Sequence, residues 1–214
     1  MNDIRMAGGA TEQNIVVGNY FDKYGSRNPI VKRLMQGFHD DLQALVQLAA
    51  PADIHEVGCG EGYWVLRWTR EGRQARGSDF SETVVGIAKA NARQLNVDDE
   101  IFSQRSIYDL TPDMDGADLV VCCEVLEHLE HPGLAVQVLK RLVKRNLIVS
   151  VPREPIWRIL NMARGKYWRA LGNTPGHLQH WSRSGIHGLL AEHFEIVEVR
   201  TPLPWTMVLC RARP

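Results

Sequence analysis

Glycines 58, 60 and 62 stand together in the run Glu56-Val57-Gly58-Cys59-Gly60-Glu61-Gly62. Between a strand and a helix, such glycines let the backbone turn tightly and approach a ligand without a Cβ in the way. Asp79 follows at the end of the next strand-like run. In a doubly wound sheet both strand ends open into one crevice, where a carboxylate accepts both hydroxyls of a ribose. The dinucleotide fingerprint needs its third glycine one residue later, so a pyrophosphate site loses its main support. No Gly-Lys-Ser/Thr follows to make a phosphate loop.

Two further groups carry acid–base or ligating side chains. Glu124, Glu127 and His128 follow an apolar run. If they open a helical turn, Glu124 and His128 share a face with Glu127 nearby. His128 is then a candidate general base, the plainer alternative being a hydrogen bond from its ring to a carbonyl. The second group is His177-Leu178-Gln179-His180-Trp181-Ser182. His180 is placed to position an acceptor oxygen; the plainer reading makes Trp181 core and Ser182 or Ser184 a helix cap.

The elements that must carry these residues follow from periodicity. Val31, Leu34, Met35, Phe38, Leu42, Leu45, Val46 and Ala49 recur at steps of three and four, which predicts an amphipathic helix over 30–49 between Pro29 and Pro51. Strands are expected at 54–57, 74–78, 101–104, 117–123, 147–151, 194–199 and 206–211. Helices are expected at 63–70, after Ser81, after Pro132 and over 184–193. The run Leu119-Val120-Val121-Cys122-Cys123 is that of a parallel strand buried on both faces. Alternating strands and helices give an α/β, doubly wound sheet. Between Pro152 and Ser184 the alternation breaks into a stretch rich in Trp, Arg, Gly and Pro, read as an insertion ahead of the last helix.

On these residues the sequence resembles the class I S-adenosylmethionine-dependent methyltransferases, nearest to the small-molecule group that includes ubiquinone-biosynthesis O-methyltransferases. The pieces that carry the resemblance are the glycine run, Ser78-Asp79-Phe80-Ser81, Ser106-Ile107-Tyr108-Asp109 and Glu124-Val125-Leu126-Glu127-His128. It implies a seven-stranded, mainly parallel, Rossmann-like sheet whose final strand inserts antiparallel. It implies a tail and cofactor-covering segment over 1–28, and a methyltransferase domain over 29–214 with a substrate lid at 152–184. It further implies S-adenosylmethionine as cofactor and S-adenosylhomocysteine as product.

The same resemblance assigns Gly58, Cys59, Gly60 and Gly62 to the loop around the methionine part, with Glu56 either steadying it or reaching the amino group through water. Asp79 goes to the ribose, Phe80, Ser106 and Ile107 to the adenine, and Cys123 and Glu124 to the methionine end. Tyr20 and Tyr24 either fold over the cofactor or pack as ordinary aromatics. His128 and His180 are the catalytic candidates. No metal is expected; the alternative takes Glu124, Glu127 and His128 as ligands, completed by His177 or His180, as in small-RNA 2′-O-methyltransferases. Oxygen and imidazole ligands suit Mg²⁺ or Mn²⁺. A scaffold that binds the cofactor without catalysis is a third reading.

Composition bounds the partners. The chain has 214 residues, with 25 Lys+Arg against 25 Asp+Glu, which argues against DNA binding by bulk charge and leaves RNA a minor alternative. Four cysteines without a CxxC pair fit a reducing, cytoplasmic setting. No apolar run approaches the roughly 20 residues that span a bilayer, and the first residues lack a secretory core and read as a mobile tail. The neutral total conceals a division. Residues 98–130 hold one basic side chain, Arg105, among many acids, whereas 152–184 carry Arg153, Arg158, Arg164, Lys166, Arg169 and Arg183 against Glu154 alone. With Trp157, Tyr167 and Trp168, this basic, aromatic lid is expected to favour an anionic or amphipathic acceptor, or a membrane surface.

Overall fold

The computed structural model of the protein describes residues 4–9, 11–12, 15–16, 18, 25–26, 28–163, 165 and 167–213. Tyr20, Tyr24, Arg164 and Lys166 lie outside the described residues.

Seven strands form one sheet: β1 (Asp53–Val57), β2 (Gln74–Asp79), β3 (Phe102–Gln104), β4 (Ala117–Cys123), β5 (Val143–Pro152), β6 (Phe194–Arg200) and β7 (Trp205–Ala212). Their order is β3-β2-β1-β4-β5-β7-β6. The pairs from β3 to β5 are parallel, and β7 runs antiparallel to both of its neighbours. This is the seven-stranded, Rossmann-like architecture expected from the sequence.

The longer helices are α1 (Pro29–Ala49), α2 (Tyr63–Arg70), α3 (Glu82–Gln94), α4 (Pro132–Leu142), α5 (Ile156–Ala163) and α6 (Arg183–Ala191). Asn28 caps α1 by accepting from Ile30 N at 2.9 Å, and Ser81 caps α3 by accepting from Val84 N at 3.2 Å. Alternate residues of the central strands face opposite layers. Leu119, Val121 and Ile148 pack with Phe38, Leu42, Trp64 and Trp68 of α1 and α2. Val120, Cys122, Leu147 and Val149 pack with Val136, Leu139, Ile186 and Leu190 of α4 and α6. Both faces are covered, which is why these strands read as unbroken apolar runs. Each such side chain removed from water contributes roughly 1.5–3 kcal/mol.

Three expectations change. β5 begins at Val143, directly after α4, because Val143 is buried and pairs with Ala117; Lys144 and Arg145 are therefore strand residues with exposed side chains. The last helix ends at Ala191, short of His193. The N-terminal tail is anchored where it is described: Ile4 is buried, and Arg5 N donates to Asn91 Oδ1 at 2.9 Å. Ala7 N donates to Glu61 Oε1 at 3.0 Å, and Ser81 Oγ donates to Glu12 Oε2.

Candidate functional site

The glycine run lies at the carboxyl end of β1, where it is tied to β2 through main-chain groups. Gly58 N and Cys59 N both donate to Ser78 O, at 2.7 and 3.0 Å, and Gly60 N donates to Asp79 Oδ2 at 3.1 Å. All three glycines have positive φ, but they differ in what surrounds them. A side-chain carbon at Gly58 would sit 2.3 Å from Val125 Cγ2, and one at Gly62 would sit 2.6 Å from the Phe102 ring. At Gly60 it would meet no protein atom within 4 Å. Gly58 and Gly62 thus serve close packing, whereas Gly60 borders open space, as a loop that admits a ligand requires.

Asp79 is half-buried beside this loop, and its Oδ1 accepts from Ser81 N at 3.1 Å. Burial pushes its carboxyl up from the usual range, against the backbone N–H groups of Ser81, Gly60 and Phe80, which favour the ionised form. Below the loop, the buried His55 holds the strand ends. Its Nδ1 donates to Asp115 O at 2.7 Å, so Nε2 accepts from Ser78 Oγ at 2.9 Å. Burial lowers its pKa to about 4, which keeps the ring neutral. Phe80 is exposed, Ser106 Oγ accepts from Tyr108 N at 3.3 Å, and the Ile107 side chain belongs to the core. Cys59 is buried, and Glu56 is buried at the end of β1. These positions fit an adenosyl cofactor: a carboxylate at the crevice, a loop open at Gly60, and an exposed aromatic next to Asp79.

The segment after β4 does not form the expected helical turn at Glu124. Glu124 has φ 60°, a left-handed conformation costly for a residue with a Cβ. Its carboxylate accepts from Ser150 Oγ at 3.0 Å and Trp205 Nε1 at 2.7 Å, while Glu124 N donates to Ser150 O at 3.0 Å. A short 3₁₀ turn, Leu126–His128, follows. The Glu124–Glu127–His128 ligand set therefore does not assemble, because the left-handed backbone sends Glu124 to β5 and β7.

Instead the structure brings Glu127 and His128 to His177, with one potential ligand atom from each within 4.8 Å of the others. The His128 and His177 rings meet edge to face at 5.0 Å. His128 Nδ1 donates to Gly176 O at 2.9 Å, which makes Nε2 the basic nitrogen of the neutral ring. His177 is buried against Trp157, and burial holds its pKa down to about 4, helped by the neighbouring His128 and His180. His180 is exposed and donates from Nε2 to Asn173 Oδ1 at 2.9 Å.

Of the residues that knit this second region, the sequence marks Trp157 only as one of the lid's aromatics and does not single out Asn161, Gly172 or Thr174. Trp157 Nε1 donates to Thr174 Oγ1 at 2.9 Å, and Asn161 Nδ2 donates to Gly172 O at 2.8 Å. Trp157 also lies against Trp205, with centroids 5.9 Å apart. The signal available was the concentration of Trp in the insertion, without a spacing to order it.

A family model described as a methyltransferase domain matches residues 30–199. The chain is similar to the ubiquinone biosynthesis O-methyltransferase of Acinetobacter baumannii (32% identical over 92 residues), covering 42% of this chain and 39% of that protein. It is also similar to the protein of that name from Methylococcus capsulatus (29% over 161 residues), covering 67% of this chain and 66% of that one. The chain thus spans well under half of the first relative and about two thirds of the second. Among solved structures, magnesium protoporphyrin IX methyltransferase from Synechocystis PCC 6803 with bound SAH superposes with a TM-score of 0.67, at 21% identity and 91% coverage of each chain.

Proposed function

The chain belongs to the methyltransferase-domain family, in its class I, S-adenosylmethionine-dependent branch, and from that premise we propose that it moves a methyl group onto an oxygen of a small-molecule or lipid-like acceptor. The observation that carries this reading is a juxtaposition. Val125, next to Glu124, packs on the glycine loop that holds the cofactor candidates, and the His128–His177 pair begins three residues later under Trp157. When bound, the cofactor supplies a sulfonium whose methyl carbon is open to direct attack.

The chain's own work is then alignment and proton removal. Gly60 and Asp79 would hold the donor, Gly58 shapes the loop by its close packing on Val125, and the wall formed by Trp157 and His177 excludes water and orients the acceptor. His128, with Nε2 as its basic nitrogen, takes the proton of the acceptor hydroxyl. His180 stands further out, where it would contact the acceptor's distal part. The test is methyl transfer from S-adenosylmethionine to a panel of phenols and hydroxylated amphiphiles, read as methylated product by mass. Cofactor binding without product across the panel would favour the non-catalytic scaffold.

A second reading rests on the Glu127, His128 and His177 group, whose carboxylate and imidazoles suit Mg²⁺ or Mn²⁺. It makes the acceptor an RNA 2′-hydroxyl. Full activity on small acceptors after strict chelation removes it.

A further inference from the structure

Arg153 and Trp181 stand side by side where the lid leaves the sheet. Arg153 directly follows Pro152, the last residue of β5, and is bridged in parallel to Trp181. Main-chain bonds fix both residues: Arg153 N donates to Pro204 O and Glu154 N to Trp181 O, each at 2.9 Å. Partners in such a bridge send their side chains to one face. Each carries a buried donor with no acceptor among the described residues, Nε of Arg153 and Nε1 of Trp181. A buried donor left unpaired keeps its desolvation penalty, so native structures seldom leave one, and two on bridged residues call for a shared acceptor. No carboxylate supplies it. Arg153 takes part in none of the ion pairs among the described residues. Glu154, the only acid in 152–184, turns its Oε2 to Arg158 N at 3.4 Å. The other described arginines of the lid differ: Arg158 donates from Nε to Leu171 O at 2.8 Å, and Arg169 and Arg183 are exposed.

We propose that Arg153 and Trp181 form a seat for an oxyanion, a carboxylate or phosphate group carried by the methyl acceptor. The pair offers only N–H donors: a guanidinium that stays charged at any working pH and an indole that cannot accept. Such a set fits an anionic oxygen and gives the proton of an ammonium no partner. Arg153 and Trp181 are both half-buried, so a charge-assisted bond there is weakened less by water and salt than one at the surface. The seat also lies along the acceptor side. Residues 177–181 run beside the turn that carries His128, with Gln179 N donating to Glu127 O and Gln179 Nε2 to Leu129 O, each at 3.0 Å. Val151, two residues before Arg153, belongs to the same buried cluster as Leu126 of that turn. An anion held here tethers the acceptor at a point away from the hydroxyl that faces His128, and two fixed points orient a small molecule. Assigning the anion to the acceptor rests on the reading above; the seat itself does not.

The test is titration of the isotope-labelled full chain with benzoate, phenyl phosphate, inorganic phosphate and the neutral benzamide, read at the indole N–H resonances. One resonance, identified as Trp181 by its loss in Trp181→Phe, is expected to shift with benzoate or phenyl phosphate and to ignore benzamide. Arg153→Met keeps the reach of the side chain and removes its charge and donors. It should weaken that binding at least about tenfold, the worth of a hydrogen bond to a charged group. Arg153→Lys keeps the charge without the planar fork and should recover part of the loss. S-adenosylmethionine affinity by calorimetry should be unchanged in both. A wild-type resonance that ignores both aryl anions, or answers benzamide equally, overturns the proposal without recourse to any variant. A response to inorganic phosphate alone makes this a free-ion site and overturns its assignment to the acceptor. Aryl-anion binding at Trp181 without methyl transfer to any acceptor would support the seat and count against the oxygen-acceptor reading, so the two fail separately.

Discussion

The glycine crevice and the lid are fastened by different kinds of bond. At the crevice the contacts are mostly main-chain: Gly58 N and Cys59 N to Ser78 O, Gly60 N to the Asp79 carboxylate, and Arg105 N to Asp79 O. The lid is knit together within itself by side chains, Trp157 on Thr174, Asn161 on Gly172 and Arg158 on Leu171, and meets the rest of the fold through a few bonds, among them Arg153 N on Pro204 O and Gln179 Nε2 on Leu129 O. Its main-chain tie to the chemistry is the pair Leu178 N and Gln179 N donating to Glu127 O, at 2.8 and 3.0 Å. Main-chain bonds survive exchange of side chains, so the cofactor end keeps its geometry whatever surrounds it. The acceptor end can be refitted by changing a few side chains, which is how one fold serves many acceptors.

The largest expected effect comes from applying one insult to both regions. Gly58 and Gly172 each have positive φ, and at each a new Cβ would lie 2.3 Å from a neighbour, Val125 Cγ2 and Arg158 O respectively. Gly58→Ala should lower global stability in urea by about 2–4 kcal/mol, because the clash lies between β1 and the segment after β4. Gly172→Ala should change the global midpoint by under about 1 kcal/mol and instead make the lid a protease target, because the lid can move as a unit. Equal global losses would show that the lid is part of the cooperative core, and the distinction would fail.

This contrast also explains what the sequence discloses. The sheet was legible because burial on both faces writes itself as apolar runs, as in Leu119 to Cys122, and helix starts write themselves as Pro29 and Ser81. The glycine loop was legible because only glycine tolerates the Gly58 and Gly62 backbone so close to Val125 and Phe102. Glu124 was misread because its helical spacing to His128 is real on paper, while a left-handed backbone takes the side chain to Ser150 and Trp205. Nothing local encodes that; it follows from β7 pairing beside β5, where Trp205 lies opposite Pro152. The His177–Trp157 stack is likewise a contact between residues ordered only by the folded insertion.

His128 joins the two regions, standing after β4 with its Nδ1 on the lid's Gly176 O. His128→Gln keeps a donor there and removes the basic nitrogen. Turnover on the best acceptor should fall at least about 100-fold, the lower end of a general base's usual share. S-adenosylmethionine affinity, which the proposed site would set at Gly60 and Asp79, should stay within about twofold, a limit that follows from the separation of the sites. A parallel loss of affinity would mean that the segment after β4 moves as one body with the glycine loop.

The smallest effect separates the regions by pH. His55 under the crevice and His177 in the lid both have pKa values lowered to about 4 by burial, against an ordinary 6.5. Between those values the unfolded or opened state binds the proton and the native state does not, so stability is full above about 6.5 and is lost as pH falls toward 4. For His55 the reaction that exposes the ring is global unfolding, since its partners are Asp115 O and Ser78 Oγ inside the sheet. For His177 opening of the lid suffices. Lowering the pH from 7 to 5 should therefore raise lid proteolysis, by an amount equivalent to about 1–2 kcal/mol of opening free energy. His177→Asn should remove most of that dependence while leaving the pH dependence of global unfolding nearly as it was. If His177→Asn flattens the global curve as well, the lid opens only when the sheet does, and its few attachments are as firm as the main-chain frame it hangs from.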